Sequence, residues 1–200
     1  MTAKRLFDLA LTIPGLLLLS PLLLGIALWI RFDSPGPVLF RQRRVGKGGR
    51  PFFVLKFRTM VVDAEARGPK ITVGDDPRIT RSGRFLRQSK LDELPQLLNV
   101  VKGDMSLVGP RPEVPEYVAL YPPEVREEVL STPPGITDFA SIEFKEESRI
   151  LAEAGDPHRA YLETILPIKL AHYRRYVRKR SLALDLLLIV RTIWAIAVRS

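Results

Sequence analysis

A chain of 200 residues suits one compact domain, or one domain with an anchor. Its 31 Lys and Arg against 22 Asp and Glu leave a net charge of +9, which points to an anionic partner: nucleic acid, phospholipid headgroups or phosphorylated substrates. The absence of cysteine excludes disulfides, thiolate nucleophiles and Cys-ligated zinc, and fits a cytoplasmic setting; with only His158 and His172 and no H-E-x-x-H, a zinc hydrolase is disfavoured.

The charge is unevenly placed. Residues 31–58 hold eight Lys and Arg against Asp33 alone, and residues 167–180 hold six with no acid. Glu113, Glu116, Glu124, Glu127 and Glu128 form an acidic interval between them. Both basic segments adjoin the most apolar stretches, which suits a membrane surface better than a nucleic-acid groove.

Residues 9–30 carry no charge across 22 positions, enough for a membrane helix of about 33 Å at about 1.5 Å per residue. A signal peptide fits poorly, because Trp29-Ile30-Arg31 offers no small-residue cleavage site. Ser20-Pro21 falls mid-stretch, where Pro21 has no N–H for Leu17 and Ser20 can hydrogen-bond back toward Leu16. Lys4 and Arg5 precede the stretch and Arg31, Arg41, Arg43 and Arg44 follow, so charge assigns neither end to the far side. A helix broken at Ser20-Pro21 that returns to the same face satisfies both ends; a kinked spanning helix is the alternative.

Residues 38–57 read as a β-hairpin, two Val-, Phe- and Leu-rich runs around Gly46-Lys47-Gly48-Gly49-Arg50. Its glycines make neither a dinucleotide fingerprint nor a Walker loop and are read as turn residues. Lys56-Phe57-Arg58-Thr59 closes the second strand with two cations and a hydroxyl that suit a phosphate. Residues 68–83 read as loop, and Asp75-Asp76 before Pro77 as turn chemistry.

Residues 85–101 carry a helical stripe of Leu91, Leu94, Leu98 and Val101, with a bend expected at Pro95 and Gly103 as the stop. Within it Asp92 and Glu93 sit side by side, below Arg81, Arg84, Arg87 and Lys90. Carboxylates amid concentrated base suit phosphate chemistry with a divalent cation. The competing reading makes Ser89 and Asp92 a capping box. Gly109-Pro110-Arg111-Pro112 either presents a guanidinium on a stiff backbone or is a rigid linker.

Helices are expected over 123–130, over 143–154 and over 157–179 with an interruption at Pro167. In the last of these Tyr161, Leu162, Ile165, Leu166, Ile168, Leu170, Tyr173 and Tyr176 read as core. Ser181 caps a final helix over 182–198, apolar apart from Asp185, Arg191 and Thr192, which must be buried or dipped into lipid. The fold class is α+β, mainly helical with a short β-hairpin.

Taken together, these stretches resemble the bacterial sugar transferase family, the monotopic polyprenyl-phosphate phosphoglycosyl transferases. The matching segments are Lys4-Arg5-Leu6-Phe7-Asp8, Ser20-Pro21, Gln42-x-Arg44-Val45-Gly46, Lys56-Phe57-Arg58-Thr59-Met60, Asp76-Pro77-Arg78-Ile79-Thr80, Leu91-Asp92-Glu93-Leu94-Pro95-Gln96, Asn99-Val100, Gly103-Asp104 through Arg111-Pro112 and Pro134-Gly135-Ile136-Thr137. Asp138 departs from the pattern, standing where a glycine is expected.

The resemblance implies transfer of a sugar 1-phosphate from a UDP-sugar to undecaprenyl phosphate with release of UMP. It implies Asp92 as the nucleophile of a covalent phosphosugar–aspartate, Glu93 as its partner (a base or an aid to the metal), and Mg²⁺ held by Asp92 and Glu93. Arg87 and Arg111 would clamp phosphates, with Lys56, Arg58 and Thr59 in support. It further implies a re-entrant helix over 1–32 turned at Ser20 and Pro21, a catalytic domain over 33–200, an amphipathic C-terminal helix, and the cytoplasmic face of the bacterial inner membrane. No nucleic-acid partner is expected, while a homodimer through the polar-poor last helix stays open. The rivals are a membrane-tethered basic protein that binds nucleic acid or anionic lipid, and a Mg²⁺ phosphohydrolase.

Overall fold

Helix α1 (Ala3–Asp33) opens a computed structural model that describes residues 2–64, 66, 76–144 and 147–198. Thr2 caps it, and both Pro14 and Pro21 lie inside a single helical run. The run stays helical at Ser20-Pro21 instead of unwinding there. Pro21 orphans the Leu17 carbonyl, and Ser20 Oγ donates to that oxygen at 2.8 Å instead of reaching Leu16. With the freed acceptor satisfied, the chain stays helical through the proline.

The two ends of α1 dock on the rest of the chain while its middle does not. Near the start, the Arg5 guanidinium donates to the carbonyls of Val100 and Val101. Buried Asp8 accepts from Lys4 at 3.1 Å and from the Leu107 amide at 3.2 Å, and Lys4 also pairs with Asp185 at 2.9 Å. Near the finish, Ile26 and Ile30 are buried with Phe57 and Leu86, and Asp33 accepts from the Ser82 amide and hydroxyl. Between these anchors Leu17 and Leu18 are 71% and 82% exposed. Of the described helices, α1 alone is long and apolar enough to cross a membrane.

Strands β1 (Leu39–Val45) and β2 (Pro51–Phe57) form the expected antiparallel hairpin, from Leu39 opposite Phe57 to Val45 opposite Pro51. Gly48 and Gly49 take φ of 65° and 76° in its turn, a region open to glycine without strain. The register puts Phe40, Gln42 and Arg44 on one face with Lys56, Val54 and Phe52.

Helix α2 (Arg81–Gln88) ends at Ser89, a left-handed Lys90 (φ 59°) follows, and Leu91–Glu93 form a 3-10 turn before α3 (Gln96–Lys102). Two short helices thus replace the single bent one expected over 85–101. The capping box does not form: Ser89 Oγ turns back to the Phe85 carbonyl at 2.8 Å. Leu91 packs against the Ile26, Ile30, Phe57 and Leu86 cluster, and Pro95 cannot donate, so the turn is fixed from both sides. Gly103 stops α3 with φ of 96°.

Strand β3 (Ser106–Val108), helices α4 (Pro115–Ala119) and α5 (Pro123–Leu130), and strand β4 (Gly135–Thr137) follow. β3 and β4 pair in parallel, Ser106 opposite Gly135 and Val108 opposite Thr137. A Cβ on Gly135 would lie 2.0 Å from the Gly109 amide nitrogen, so the two backbones meet only because both are glycine. Asp138 caps α6 (Phe139–Glu143), which α7 (Glu147–Ala152) follows where one helix over 143–154 was expected.

α8 (Pro157–Ala160), a π turn at Tyr161–Ile165 and α9 (Leu166–Lys179) make up the helix interrupted near Pro167. Tyr161, Ile165, Leu166, Leu170, Tyr173 and Tyr176 are core as expected, whereas Ile168 is exposed. α10 (Leu182–Ala197), capped by Ser181, buries Asp185 and Leu188 and leaves Leu186, Val190, Ile193 and Trp194 outward.

Candidate active site

Three distant segments bring their charges together around the 3-10 turn. Lys56 from the end of β2 reaches the Glu93 carboxylate at 2.8 Å. Arg111, between Pro110 and Pro112 after β3, donates through Nη1 to Glu93 Oε2 at 3.0 Å and through Nη2 to Oε1. Both oxygens of Glu93 are therefore taken up by cations. Asp92, next to it and 8% exposed, accepts no hydrogen bond from any described residue. Adjacent carboxylates thus have opposite situations.

Their protonation follows suit. Burial pushes the Asp92 carboxyl above the ordinary range; Lys56 opposes this and Glu93 adds to it. Burial acts the same way on Glu93, but Arg111 and Lys56 outweigh it and hold that carboxyl well below the usual range. Glu93 in turn raises the pKa of Arg111, keeping the guanidinium charged.

Of the basic residues above the pair, Arg87 turns inward, while Arg81, Arg84 and Lys90 are exposed. Arg87 Nε donates to Thr59 Oγ1 at 2.9 Å. Burial lowers its pKa, and the charges of Asp92 and Asp76 oppose that. Gly83 permits this approach, since a Cβ there would fall 2.0 Å from the Thr59 carbonyl oxygen. Asp76 serves as turn chemistry, accepting from the Arg78 amide and guanidinium at 2.9 Å each. Asp75 lies outside the described residues.

Arg58 is not brought to the site, contrary to the sequence expectation. Its guanidinium is spent on the carbonyls of Pro37, Ser34 and Met60 and on the Ser34 hydroxyl, and its charged neighbours are Asp33 and Arg31. Strand alternation explains this: Lys56 and Arg58 share a parity, but the strand ends at Phe57 and Arg58 folds back onto the end of α1. It fastens the hairpin to the helix.

The support behind Arg111 was missed in the sequence. Fully buried Asp138 accepts from the Arg111 amide at 3.3 Å and from the Ser141 amide at 2.6 Å. The departure at 138 therefore has a use, locking the segment that presents Arg111 to the start of α6. Arg44 donates to the Pro112 carbonyl and to Glu113 Oε2 at 3.1 Å each, Gln42 Oε1 accepts from Arg44 at 2.6 Å, and Tyr161 donates to Glu113 Oε1 at 2.8 Å. The available signal was the Gln42-x-Arg44 alternation, which places both side chains on the Lys56 face of the hairpin.

No group of three or more Asp, Glu or His suited to a metal occurs among the described residues. Mg²⁺ does not need one: it is commonly held by one or two carboxylates together with waters and substrate phosphates. Asp92, with its oxygens unclaimed, fits that role. Glu93 does not, because a metal would have to displace two cations from it.

Comparison with known proteins supplies the family. The bacterial sugar transferase family matches residues 1–199. A UDP-N-acetylgalactosamine-undecaprenyl-phosphate N-acetylgalactosaminephosphotransferase of Aeromonas hydrophila is 38% identical over 95% of this chain and 42% of its own length. UDP-glucose:undecaprenyl-phosphate glucose-1-phosphate transferases of Xanthomonas campestris pv. campestris and Caulobacter vibrioides are similar as well. The first is 40% identical over 95% of this chain and 38% of its own length. The second is 46% identical over 70% of this chain and 53% of its own length. The chain thus spans roughly two fifths to one half of these relatives. With residues 1–199 matched, the chain belongs to the bacterial sugar transferase family.

Proposed function

We propose that this chain transfers a sugar 1-phosphate from a UDP-sugar to undecaprenyl phosphate, releasing UMP, through a covalent phosphosugar on Asp92. One observation carries the reading: Asp92 is buried beside Arg87, Lys56 and Glu93 yet accepts no hydrogen bond from any described residue. A carboxylate set among cations but held by no hydrogen bond keeps its oxygens available for a phosphorus or a metal.

In the first half-reaction an Asp92 oxygen attacks the phosphorus that carries the sugar. The P–O bond to the UMP leaving group breaks, and UMP departs with its electron pair. In the second, an oxygen of undecaprenyl phosphate attacks the same phosphorus and the Asp92 carboxylate leaves unchanged. Arg87, anchored on Thr59, offers its remaining N–H groups to phosphate oxygens, and Lys56 and Arg111 supply charge from the other side. Mg²⁺, held by Asp92 with the donor phosphates, would neutralise the pyrophosphate as the leaving group forms.

The reaction belongs at a membrane surface. Both ends of α1 dock on the same catalytic body while Leu17 and Leu18 between them are bare, which supports a re-entrant segment (1–32) with both ends on the cytoplasmic face. The outward apolar face of α10 suits the same interface. On this reading the protein is monotopic in the bacterial inner membrane, with residues 33–200 as the catalytic part. UMP release from a panel of UDP-sugars, with Mg²⁺ and undecaprenyl phosphate, tests the activity. Inorganic phosphate as the product would mark a phosphohydrolase, and no product from any donor would leave only a basic membrane-bound protein.

A further inference from the structure

We infer that Glu93 is a built-in stand-in for a donor phosphate, holding the Lys56–Arg111 anion site in the unliganded protein and leaving it when the nucleotide diphosphate arrives. The inference rests on the donor reading above and assigns Glu93 a part that neither a base nor a metal ligand would play. The Glu93 carboxylate bridges Lys56 Nζ at 2.8 Å and the terminal nitrogens of Arg111. Carboxylate and phosphate oxygens fit the arginine fork in the same way, so the position Glu93 fills is one a phosphate can fill.

The end-on fork of Arg111 can hold one anion at a time. Nη1 and Nη2 of Arg111 both go to Glu93, so a phosphate that takes the terminal fork must dislodge the carboxylate. Lys56 has three N–H groups and can keep one oxygen while offering the others. The side chains of Lys56 and Arg111 are 20% and 30% exposed, so an anion reaches them without unfolding anything. Glu93 also keeps two cations from facing each other unpaired before substrate binds. Afterwards it competes for the fork again, which speeds loss of the leaving nucleotide and avoids over-tight binding of the ground state.

The test is calorimetric titration of UDP into the purified, membrane-reconstituted full chain in EDTA. Wild type is compared with Glu93→Gln and Glu93→Asp, each first shown to keep its wild-type helix content. Glu93→Gln keeps the shape and removes the competing charge, and should bind UDP about tenfold tighter than wild type. Glu93→Asp, too short to span both cations, should fall between the two. If both variants bind UDP as weakly as wild type or more weakly, while wild type still releases UMP from a UDP-sugar, Glu93 is a fixed scaffold. The exchange is then wrong and the transferase reading stands. A wild type that neither binds UDP nor releases UMP removes both.

Discussion

Side by side on one turn, Asp92 and Glu93 are driven in opposite directions: the first upward by burial, the second downward by two cations that outweigh burial. A depressed carboxyl stabilises the fold above the ordinary carboxylate range, and that contribution is lost as pH falls through it. Thermal unfolding in EDTA should therefore show stability dropping on acidification through and below pH of about 4. Asp92, with its raised pKa, acts with the opposite sign, so the Glu93 share is read from the difference between wild type and Glu93→Gln. The variant should show the shallower loss; equal slopes would mean that the Lys56–Glu93–Arg111 cluster does not hold in solution. The pair itself was legible in the sequence as acid amid base. The unequal fates of its members were not, because the cations that separate them come from residues 56 and 111, which only the tertiary fold delivers.

At the level of elements, the site depends on close backbone approaches and on satisfied carbonyls. Gly83 in α2 lies against the backbone at Thr59, so Gly83→Ala would push a Cβ to within 2.0 Å of a carbonyl oxygen that cannot yield. It should destabilise the protein by about 2–3 kcal/mol and weaken donor use by shifting Thr59 from Arg87. An unchanged melting point and KM for the UDP-sugar would contradict this. In α1, Ser20→Ala leaves the Leu17 carbonyl without a donor and should cost about 1–2 kcal/mol in reconstituted protein. Ser20→Ala with Pro21→Ala should recover most of that, since residue 21 regains its N–H; a double variant no better than the single one would refute the pairing. Local pattern gave the hairpin, α5, the core stripe of α9 and the cap of α10 nearly as they stand. It misjudged 85–101, where a left-handed Lys90 and the packing of Leu91 on Ile26 and Ile30 override a good helical stripe. It also misassigned Arg58, whose partners Pro37 and Ser34 lie 21 and 24 residues earlier in the chain.

For the molecule as a whole, α1 carries charge at both ends, docks at both ends and is bare between. A cysteine placed at residue 2 and another at residue 47 should both react with a membrane-impermeant maleimide from the cytoplasmic side only. Labelling of residue 2 from the opposite side would make α1 a spanning helix and separate Arg5 from Val101. The positive charge and apolar stretches that suggested a membrane surface were visible at once. The way α1, α3 and β3 lock together through Arg5 and Asp8 was not, because those contacts join residues nearly a hundred positions apart.

Intact-protein mass spectrometry after a brief incubation with a cognate UDP-sugar and Mg²⁺, without lipid acceptor and quenched under denaturing conditions, bears most directly on the chemistry assigned to Asp92. The expected result is a wild-type species heavier by one sugar phosphate, located to Asp92, discharged by undecaprenyl phosphate, and missing from Asp92→Asn. An acceptor-dependent turnover that proceeds with no adduct on wild type, or an adduct that persists in Asp92→Asn, would contradict it.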